Sequence, residues 1–320
     1  MSEVAAAAVG GTGPADTITR PLGQADLAVI ILTHNEERHI GRALDALAPV
    51  AREVFVIDSF STDRTVEIAR ERGATVLQNR FINYAKQFQW GLDNAPVTSA
   101  WVMRLDADEV VEPDLAAEIR AKLVSLPVDV QGVVLKRKHI FMDRWIRHGG
   151  RYPLLLLRIW RTGAGRIEDR WMDEHIVLSH GRTVTFDGGF ADHNLNDLTF
   201  FTDKHNKYAT REAIDILADR YDLYPRDRAL TETDRLAQAS WKRVAKEKIY
   251  NRLPFQVGPM AFFLYRYIVQ LGFSTESPGS STTFSRDFGT ASWSTRRFMN
   301  WSRRSRAWKA GTPSWPRYPA

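Results

Sequence analysis

The aspartates of Asp106-Ala107-Asp108 are the residues of this chain best suited to chemistry. In an extended segment residues i and i+2 point to one side, so both carboxylates can hold one divalent cation while Ala107 faces away. Mg²⁺ and Mn²⁺ prefer oxygen ligands, and Mg²⁺ in particular completes its shell with water and phosphate oxygens. An isolated Asp-x-Asp is usually surface decoration, but this one directly follows the strand-like residues 101–105. Its position therefore favours a metal site that carries a phosphorylated ligand.

Polar residues also follow two other apolar runs at the point where each run ends. Asn35 and Glu36 come after residues 27–33, and Asp58 comes after residues 53–57. Strands buried on both faces of a parallel sheet are continuous apolar runs, and ligands of open α/β sheets bind beyond the carboxyl ends of the strands. We therefore expect these side chains to gather around one ligand.

The turn that begins at Asp58 has a second interpretation. Asp58 and Ser59 belong to the residue types that stabilise turns, and Asp63 is suited to cap the N-terminus of the helix that follows. Both interpretations are compatible with the sequence.

Strands alternate with helices between residues 27 and 126, and shorter β-like segments follow. The predicted strands are 27–33, 53–57, 74–77 and 101–105, and the predicted helices are about 40–47, 63–72, 84–93 and 113–126. Further β-like segments are predicted at 132–138, 154–161 and 182–186, and helices at 202–219 and 234–250. This order predicts an α/β fold with a Rossmann-like, mostly parallel sheet and right-handed crossovers.

Composition and missing motifs exclude several classes of site. The 320 residues contain no cysteine, which excludes disulfides, a thiol nucleophile and cysteine-ligated zinc or iron–sulfur sites. The sequence also lacks a P-loop, a complete dinucleotide-binding fingerprint and a His-Glu-x-x-His helix. An apolar content of 44% is enough for a sizeable core, so the bulk of the chain is expected to be globular.

The net charge of +6 resides in the last 47 residues. Residues 274–320 contain eight Lys or Arg against two Asp or Glu, whereas residues 1–273 contain 36 of each sign. A nucleic-acid partner, which an overall positive charge would suggest, is therefore not expected.

The same 47 residues contain no Leu, Ile or Val, but ten Ser and four Trp. Codons for Phe, Trp, Tyr and most Ser begin with T, and a one-base shift moves that T to the middle of a codon, where it encodes an apolar residue. We therefore hypothesise a frameshift at or just after Phe273, which leaves 274–320 as an aberrant, disordered tail. Residues 1–25, rich in Ala, Gly and Thr, are expected to be a disordered leader.

Four motifs in a fixed order resemble those of a known family. They are THNEE at 33–37, VIDSFSTDRT at 56–65, LDADE at 105–109 and DRWMDEHIV at 169–177. Over about residues 27–270 the chain resembles the family 2 nucleotide-sugar glycosyltransferases of the GT-A fold. The resemblance implies a GT-A domain at 26–225, with insertions on the acceptor side, and a helical region at 226–273. The segments FINYAKQFQWGL, RHGGRYP, RWMDEH, TDKHNKYATREA and NRLPFQVGP look most like the bacterial lipopolysaccharide inner-core β-glucosyltransferases.

The resemblance implies roles for the residues at the strand ends. Thr33, Asn35 and Glu36 would lie beside the nucleotide of a UDP-sugar, Asp58 would hydrogen-bond the base, Lys86 would approach the donor, and Asp106 and Asp108 would hold Mg²⁺ or Mn²⁺ on the diphosphate. The family's usual Gln-Arg-Asn in the helix before the fourth strand reads Gln87-Phe88-Gln89 here.

The resemblance also implies inversion by one direct displacement, which needs a carboxylate to take the proton of the acceptor hydroxyl. Asp173 and Glu174 are the candidates, and in an extended segment only one of them faces the acceptor. Glu174 is favoured because related sequences keep an acid there. The other residue would be a structural partner for an arginine such as Arg170.

A late histidine and an arginine-rich loop are further candidates. His193, in Ala-Asp-His-Asn, is either a metal ligand, as a late His is in some GT-A enzymes, or a structural residue. Arg147, His148, Arg151 and Tyr152 would bind a phosphorylated or acidic acceptor sugar, for which a forked guanidinium is well shaped. Their alternative is a solvated loop.

The apolar segment 253–273 suggests contact with a membrane surface. Its aromatic residues and Arg266, with Lys246, Lys248 and Arg252 just before it, make a composition typical of a helix on an anionic membrane, although a core helix is the alternative. Its uncharged stretch is too short to span a bilayer. A cytoplasmic protein with peripheral contact at the inner face of the bacterial inner membrane is therefore expected.

Together these features predict a metal-dependent, inverting glycosyltransferase. It would move glucose from a UDP-sugar onto a lipopolysaccharide core or a related saccharide, free or lipid-linked, of the bacterial envelope. One alternative is a transferase that makes exopolysaccharide or a polyprenyl-linked sugar. The other is a protein that binds sugar nucleotides without turnover.

Overall fold

A nine-stranded sheet organises the part of the chain that the structure describes. This computed structural model describes residues 23–168, 174–221 and 257–274. Most of the expected leader, the expected helix at 234–250 and the hypothesised frameshifted tail beyond Ser274 lie outside these residues.

The elements follow the predicted order, with extra short strands in the second half. The strands are β1 (Ala25–Thr33), β2 (Ala51–Asp58), β3 (Thr75–Gln78), β4 (Trp101–Asp106), β5 (Glu109–Val111), β6 (Val130–Phe141), β7 (Arg144–Trp145), β8 (Leu154–Arg161), β9 (Gly165–Ile167), β10 (Ile176–Leu178) and β11 (Arg182–His193). The helices are α1 (Ile40–Leu47), α2 (Thr65–Glu71), α3 (Tyr84–Asn94), α4 (Pro113–Lys122), α5 (Leu198–Tyr221) and α6 (Val257–Leu264). A 3₁₀ turn, Leu123–Ser125, replaces the last turn predicted for α4.

The strands lie in the order β3-β2-β1-β4-β8-β6-β11-β5, and β7 pairs with β6. Strands β1 to β4 are parallel, and β6 is parallel to β11. Strand β8 is antiparallel to β4 and β6, and β5 is antiparallel to β11. The parallel strands β1 to β4 thus form one half of the sheet. The other half has mixed strand directions and contains the β segments expected after residue 130. The α/β fold class expected from the sequence is confirmed.

The core lies on both faces of β1, as its continuous apolar run predicts. Leu27, Val29 and Ile31 pack against one layer, which includes α1 and α4. Ala28 and Ile30 face the other layer, which includes Phe88 of α3 and Trp160 of β8. Because successive side chains of a strand point to opposite faces, this strand serves two cores at once. It therefore fixes the position of the polar residues at its carboxyl end.

Strand register brings the polar strand ends together. Thr33 pairs with Asp58, and its neighbour Leu32 pairs with Asp106, so the ends of β1, β2 and β4 meet at one edge. In the mixed half, Asp192 of β11 pairs with Glu109 of β5. This second pairing places residues 192–194 beside the aspartates near residue 106.

The end of the described chain begins with α6 and continues through a π-helical turn, Tyr265–Val269. Within the described ranges, no helix has both the length and the apolar character required to cross a bilayer.

Glu53 of β2 fastens the start of β4 to the sheet. Its Oε2 accepts hydrogen bonds from the backbone N–H of Ser99 at 2.9 Å and of Thr98 at 3.1 Å, and both hydroxyls donate to the carboxylate at 2.6 Å. Burial alone would raise the pKa of Glu53, but the hydrogen bonds from Ser99 and Thr98 outweigh it and lower the pKa below its usual 4.5. The ionised carboxylate of Glu53 therefore stabilises the folded protein.

We expect Glu53→Gln to lower the free energy of unfolding by about 1–2 kcal/mol at pH 7, because an amide keeps only one acceptor oxygen. The folded-state pKa lies below the unfolded value, so the contribution is complete above about pH 4.5 and is lost as the pH falls through the folded pKa. Urea unfolding at decreasing pH should show the difference from wild type shrinking. Exposed Glu71→Gln is the control, and a difference that is the same at every pH would contradict the account.

Candidate active site

The two candidate metal ligands lie at the end of β4 and in the turn after it. Asp106 ends β4, and Asp108 lies in the two-residue turn that leads to β5. The expectation that Asp106-Ala107-Asp108 is extended is wrong, because the chain turns at residues 107–108. The N–H of Asp106 donates to Oε2 of Glu109 at 2.9 Å across this turn. The two aspartates therefore face different neighbours, with 39% of the Asp106 side chain and 16% of the Asp108 side chain exposed.

Arginines surround Asp106. Nε of Arg104 lies 3.6 Å from Oδ1 of Asp106, and Nη2 of Arg158 lies 3.8 Å from Oδ2. Burial opposes ionisation of Asp106, but the charges of Arg104, Arg158 and Arg137 outweigh it and lower the pKa. Asp106 is therefore a carboxylate at neutral pH.

Asp108 has a more acidic environment. Nδ2 of Asn194 donates to its Oδ2 at 2.9 Å, and Nζ of Lys204 lies 3.9 Å from the same oxygen. Burial raises the pKa of Asp108, and the charges of Asp192 and, to a smaller extent, Asp106 raise it further against the effect of Lys204 and Asn194. A cation shared with Asp106 would relieve this repulsion.

Buried Glu109 links the aspartates to β11. Nη2 of Arg158 donates to its Oε1 at 2.7 Å, and Nη1 of Arg137 lies 3.7 Å from that oxygen and 3.6 Å from Oδ2 of Asp192. Burial raises the pKa of Glu109 to about 8 against the pull of Arg158. Arg137 and Arg158 thus tie Asp106, Glu109 and Asp192 into one network.

This donor set suits a hard divalent cation in an open site. Within the described segments, no group of three or more His, Asp or Glu side chains is arranged to hold a metal on its own. Mg²⁺ is commonly held by one or two carboxylates, with substrate phosphates and water as the other ligands. Asp106 and Asp108 match that pattern, and a cation would offset the burial and the nearby negative charges of Asp192 and Asp106 that raise the pKa of Asp108.

His193 lies beside the aspartates, but its ring has other partners. The backbone N–H of His193 donates to the backbone oxygen of Asp108 at 3.0 Å. Its Nδ1 contacts Nη1 of Arg42 at 3.1 Å, and its Nε2 contacts Oδ1 of Asp143 at 2.9 Å. The side chains that contact or act on the Asp108 carboxylate from this segment are those of Asp192 and Asn194.

The candidate base Glu174 shares an arginine with Asp106. Nη2 of Arg104 donates to Oε1 of Glu174 at 3.0 Å, while Nε of the same guanidinium faces Asp106. Only 10% of the Glu174 side chain is exposed. Asp173, the other candidate, and Arg170, its suggested partner, lie outside the described residues. Arg104 therefore joins a candidate catalytic base to a candidate metal ligand.

Asp58 occupies a buried position at the carboxyl end of β2. Its Oδ1 accepts from the hydroxyls of Thr33 and Ser61, and its Oδ2 accepts from the N–H of Ser61 at 2.9 Å and from Nε2 of Gln78 at 3.1 Å. A carboxylate offers about four acceptor sites, so these donors fill it. This is the turn chemistry allowed by the sequence. The N-cap position of α2 is Arg64 and not Asp63, whose carboxylate accepts from the N–H of Thr65.

Asn35 and Glu36 bind the turn after β2. Oδ1 of Asn35 accepts from the N–H of Thr62 at 2.8 Å, and the N–H of Glu36 donates to Oγ1 of Thr65 at 2.7 Å. Buried His39 contacts Glu36 at 2.6 Å through Nδ1 and accepts from the N–H of Leu195 at Nε2. Because an amide N–H can only donate, the His39 proton lies on Nδ1. This histidine connects the β1 end to the segment after β11.

The Gln87-Phe88-Gln89 segment of α3 has structural partners. Gln87 is buried and donates to Oγ of Ser59 at 3.0 Å. Phe88 lies against Trp160 and beneath the guanidinium of Arg104, 5.4 Å from its ring centroid. The side chain of Lys86 is exposed. Its backbone N–H donates to Oδ1 of Asn83, the N-cap residue of α3.

The candidate acceptor loop lies between β7 and β8. Arg147 and His148 are exposed, whereas Arg151 and Tyr152 are half-buried. The Arg147 guanidinium lies 4.3 Å from the ring centroid of Trp145, and Tyr152 packs edge-on against the same ring. Because Arg147 and His148 are exposed, the interpretation as a solvated loop suits them better than it suits Arg151 and Tyr152.

The segment after α6 is attached to this loop. Arg266 is buried, and its Nε donates to the backbone oxygen of Gly149 at 2.7 Å, so this arginine does not contribute to a basic surface. The N–H of Gly149 donates to the oxygen of Gln270 at 2.9 Å. Lys246, Lys248 and Arg252 lie outside the described residues.

Sequence reasoning missed several residues of this site. They are Arg104, Glu109, Arg137, Arg158, Asp192, Asn194 and Lys204. A signal existed for Arg104, the one charged residue within the apolar segment WVMRL. For Asp192 and Lys204 the signal was weak, because the contacts depend on pairing between distant parts of the chain.

A family model and a curated relative each match part of the chain. Residues 28–186 match the family model described as glycosyl transferase family 2. An uncharacterized glycosyltransferase of Rickettsia typhi is 36% identical over 93 residues, which is 29% of this chain and 31% of that protein. The chain thus spans about a third of the length of this curated relative.

Two solved structures are similar at lower sequence identity. A mannosyltransferase from Pyrobaculum calidifontis, solved with GDP-Man and Mn²⁺, is 15% identical over 90% of this chain and 91% of that one, with a TM-score of 0.49. Glucosyl-3-phosphoglycerate synthase from Mycobacterium tuberculosis, solved with Mn²⁺, UDP and glucosyl-3-phosphoglycerate, is 23% identical over 35% of this chain and 43% of that one, with a TM-score of 0.30. The match of residues 28–186 to this family model agrees with the transferase class and the α/β fold expected from the sequence.

Proposed function

We propose that this chain is a metal-dependent, inverting glycosyltransferase that takes a sugar from a nucleotide-sugar donor. The observation that carries the proposal is the Arg104 guanidinium between Glu174 and Asp106. It joins a carboxylate able to take a proton to a carboxylate able to hold a cation on a diphosphate. The intact Glu174 position favours turnover over a protein that only binds sugar nucleotides.

Asp106 and Asp108 are the residues assigned to Mg²⁺ or Mn²⁺. The ion, when bound, neutralises the negative charge that develops on the departing diphosphate. His193 is left out of this ligand set because its ring contacts Arg42 and Asp143. Asn194 orients Asp108 through the 2.9 Å hydrogen bond to Oδ2.

Glu174 is the residue assigned to the proton of the acceptor hydroxyl. Arg104 contacts Oε1, so Oε2 is the oxygen that we assign to the acceptor. The same guanidinium contacts Asp106, and this fixes the base relative to the metal-side carboxylate. Direct displacement demands such a fixed geometry, because the base and the leaving group act on opposite sides of the anomeric carbon.

Thr33, Asn35, Glu36, Asp58 and Lys86 are assigned to the nucleotide of the donor. The acceptor sites of Asp58 are already filled, so an N–H of the base must replace one of its present donors. Gln78 is the candidate, since its 3.1 Å hydrogen bond comes from a side chain rather than from the backbone of the turn. We assign a uracil base and glucose as the donor, following the resemblance in the sequence.

The acceptor side is assigned to a lipopolysaccharide core or a related saccharide of the bacterial envelope, with Arg147, His148, Arg151 and Tyr152 as its binding residues. The segment that Arg266 attaches to this loop exposes large apolar side chains: Met260, Phe262, Leu264, Tyr265, Ile268, Val269, Leu271 and Phe273. Such a surface suits peripheral contact with a membrane that carries the acceptor. Exopolysaccharide or polyprenyl-linked acceptors would use the same surface.

We expect Asp106→Ala and Asp108→Ala each to lower metal-stimulated sugar transfer at least about 100-fold, because each removes a ligand of the cation. Transfer should be followed as release of nucleoside diphosphate from UDP-, GDP- and ADP-sugars with Mn²⁺. Asp45→Ala, which removes an exposed aspartate paired with Arg72, is the control and should leave the rate unchanged. Full activity in both site variants would refute the metal assignment.

Glu174→Gln should lower kcat by about 10²–10⁴-fold, because an amide cannot accept the proton. The affinity for the nucleoside diphosphate with Mn²⁺ should stay close to that of wild type, since the amide oxygen still accepts from Arg104. Kinetics and calorimetry on the same samples separate these effects. A variant with normal kcat would move the base assignment to Asp173.

Ile268→Asp and Val269→Asp should each reduce binding to liposomes that contain anionic lipid, on the order of tenfold, because each removes an exposed apolar side chain from the proposed surface. Co-sedimentation measures this effect. Val124→Asp is the matched control, since Val124 is also exposed but follows α4. Equal liposome binding by all three variants and wild type would contradict the proposed membrane contact.

A further inference from the structure

Lys204 is a residue of the site to which the proposed function assigns no role. It lies in the second turn of α5, and its Nζ is 3.9 Å from Oδ2 of Asp108. Its side chain is largely shielded, with 35% exposed. One turn later on the same side of the helix, Tyr208 hydrogen-bonds Tyr84 at the start of α3. Helix α5 therefore directs a lysine at the metal-side carboxylate.

Lys207, three residues further on, shows what an ordinary surface lysine does in this helix. It pairs with Asp203 at 2.7 Å, and both side chains are mostly exposed. Lys204, by contrast, lies among groups of the active site, since the charges of Asp108 and Glu36 both act on it. The two lysines thus form a natural pair for comparison within one helix.

The contact between Lys204 and Asp108 has the properties of an exchangeable ion pair. A separation of 3.9 Å is longer than a hydrogen bond, so the pair is held by charge alone. A lysine is a compact cation on a flexible four-carbon stem, and it can move to a phosphate as readily as to a carboxylate. A divalent cation on Asp108 would repel the ammonium group at this distance.

We propose that Lys204 is the counter-ion of Asp108 in the donor-free protein and transfers to the diphosphate of the donor when a cation takes its place on Asp108. The inference rests on the proposed function, because it assumes that Asp108 is a metal ligand. Lys204 is thereby a residue that binds the donor and also discourages metal binding before the donor arrives. The two roles act on metal affinity and on diphosphate affinity in opposite directions.

The test is calorimetric binding of Mn²⁺ alone, and of UDP or GDP in the presence of saturating Mn²⁺, to the full chain and its variants. Lys204→Met keeps the length of the side chain and removes the charge. It should bind Mn²⁺ alone about threefold more tightly, since a competing ion pair is lost. It should bind the nucleoside diphosphate on the order of tenfold more weakly, since a charged contact is lost. Lys204→Arg should restore diphosphate affinity, and Lys207→Met should match wild type in both measurements.

Affinities that fall together in Lys204→Met, with a lower melting temperature, would show a merely structural lysine and overturn the inference. Unchanged affinities would overturn it as well. In either case Asp108→Asn should still abolish Mn²⁺ binding, which leaves the proposed function standing. A wild-type chain that binds neither Mn²⁺ nor a nucleoside diphosphate would overturn the proposed function and the inference with it.

Discussion

A cluster of acidic side chains held by arginines at one edge of the sheet is the interaction on which this site depends. Asp106, Asp108, Glu109 and Asp192 are brought together by two strand pairings, and the charges of Asp192 and Asp106 act on Asp108 and Glu109. Three arginines from β4, β6 and β8 lie among them and hold the cluster together. Removing one partner of such a buried pair costs more than the pair contributes, so the network is expected to be intolerant of change.

The arginine network also connects the residues proposed for metal binding with the residue proposed as the base. Arg104 lies in β4, two residues before the proposed metal ligand Asp106, and a guanidinium presents several donors in a fixed plane. Nε of the group lies 3.6 Å from Asp106, its Nη2 contacts Glu174, and the ring of Phe88 in α3 packs against the guanidinium. A lysine could not hold both acids in this way, because its ammonium group has no fixed plane. The departure from the family's usual segment at residues 87–89 thus coincides with an aromatic support for this arginine.

Much of the fold could be predicted from local patterns, whereas the site could be predicted only in part. The run at 27–33 and the Asp-x-Asp after 101–105 are local signals, and they located β1, β4 and the acidic residues at the end of β4. The turn at 107–108 was missed because the short strand β5 exists only through its pairing with β11, about 80 residues away. The contacts of Asp192, Asn194 and Lys204 depend on the same long-range pairing. His193 was a reasonable candidate by residue type, but alternation along β11 turns Asp192 toward the acids and His193 toward Arg42.

The central claim is that Asp106 and Asp108 hold a divalent cation beside the Arg104–Glu174 pair. Anomalous diffraction from a crystal of this chain grown with Mn²⁺ and UDP tests it most directly. The account predicts one strong manganese peak within about 2.5 Å of carboxylate oxygens of Asp106 and Asp108, with Glu174 still bound to Arg104. A manganese ion held by other residues, or nucleotide bound in this cleft with no manganese at the two aspartates, would contradict it.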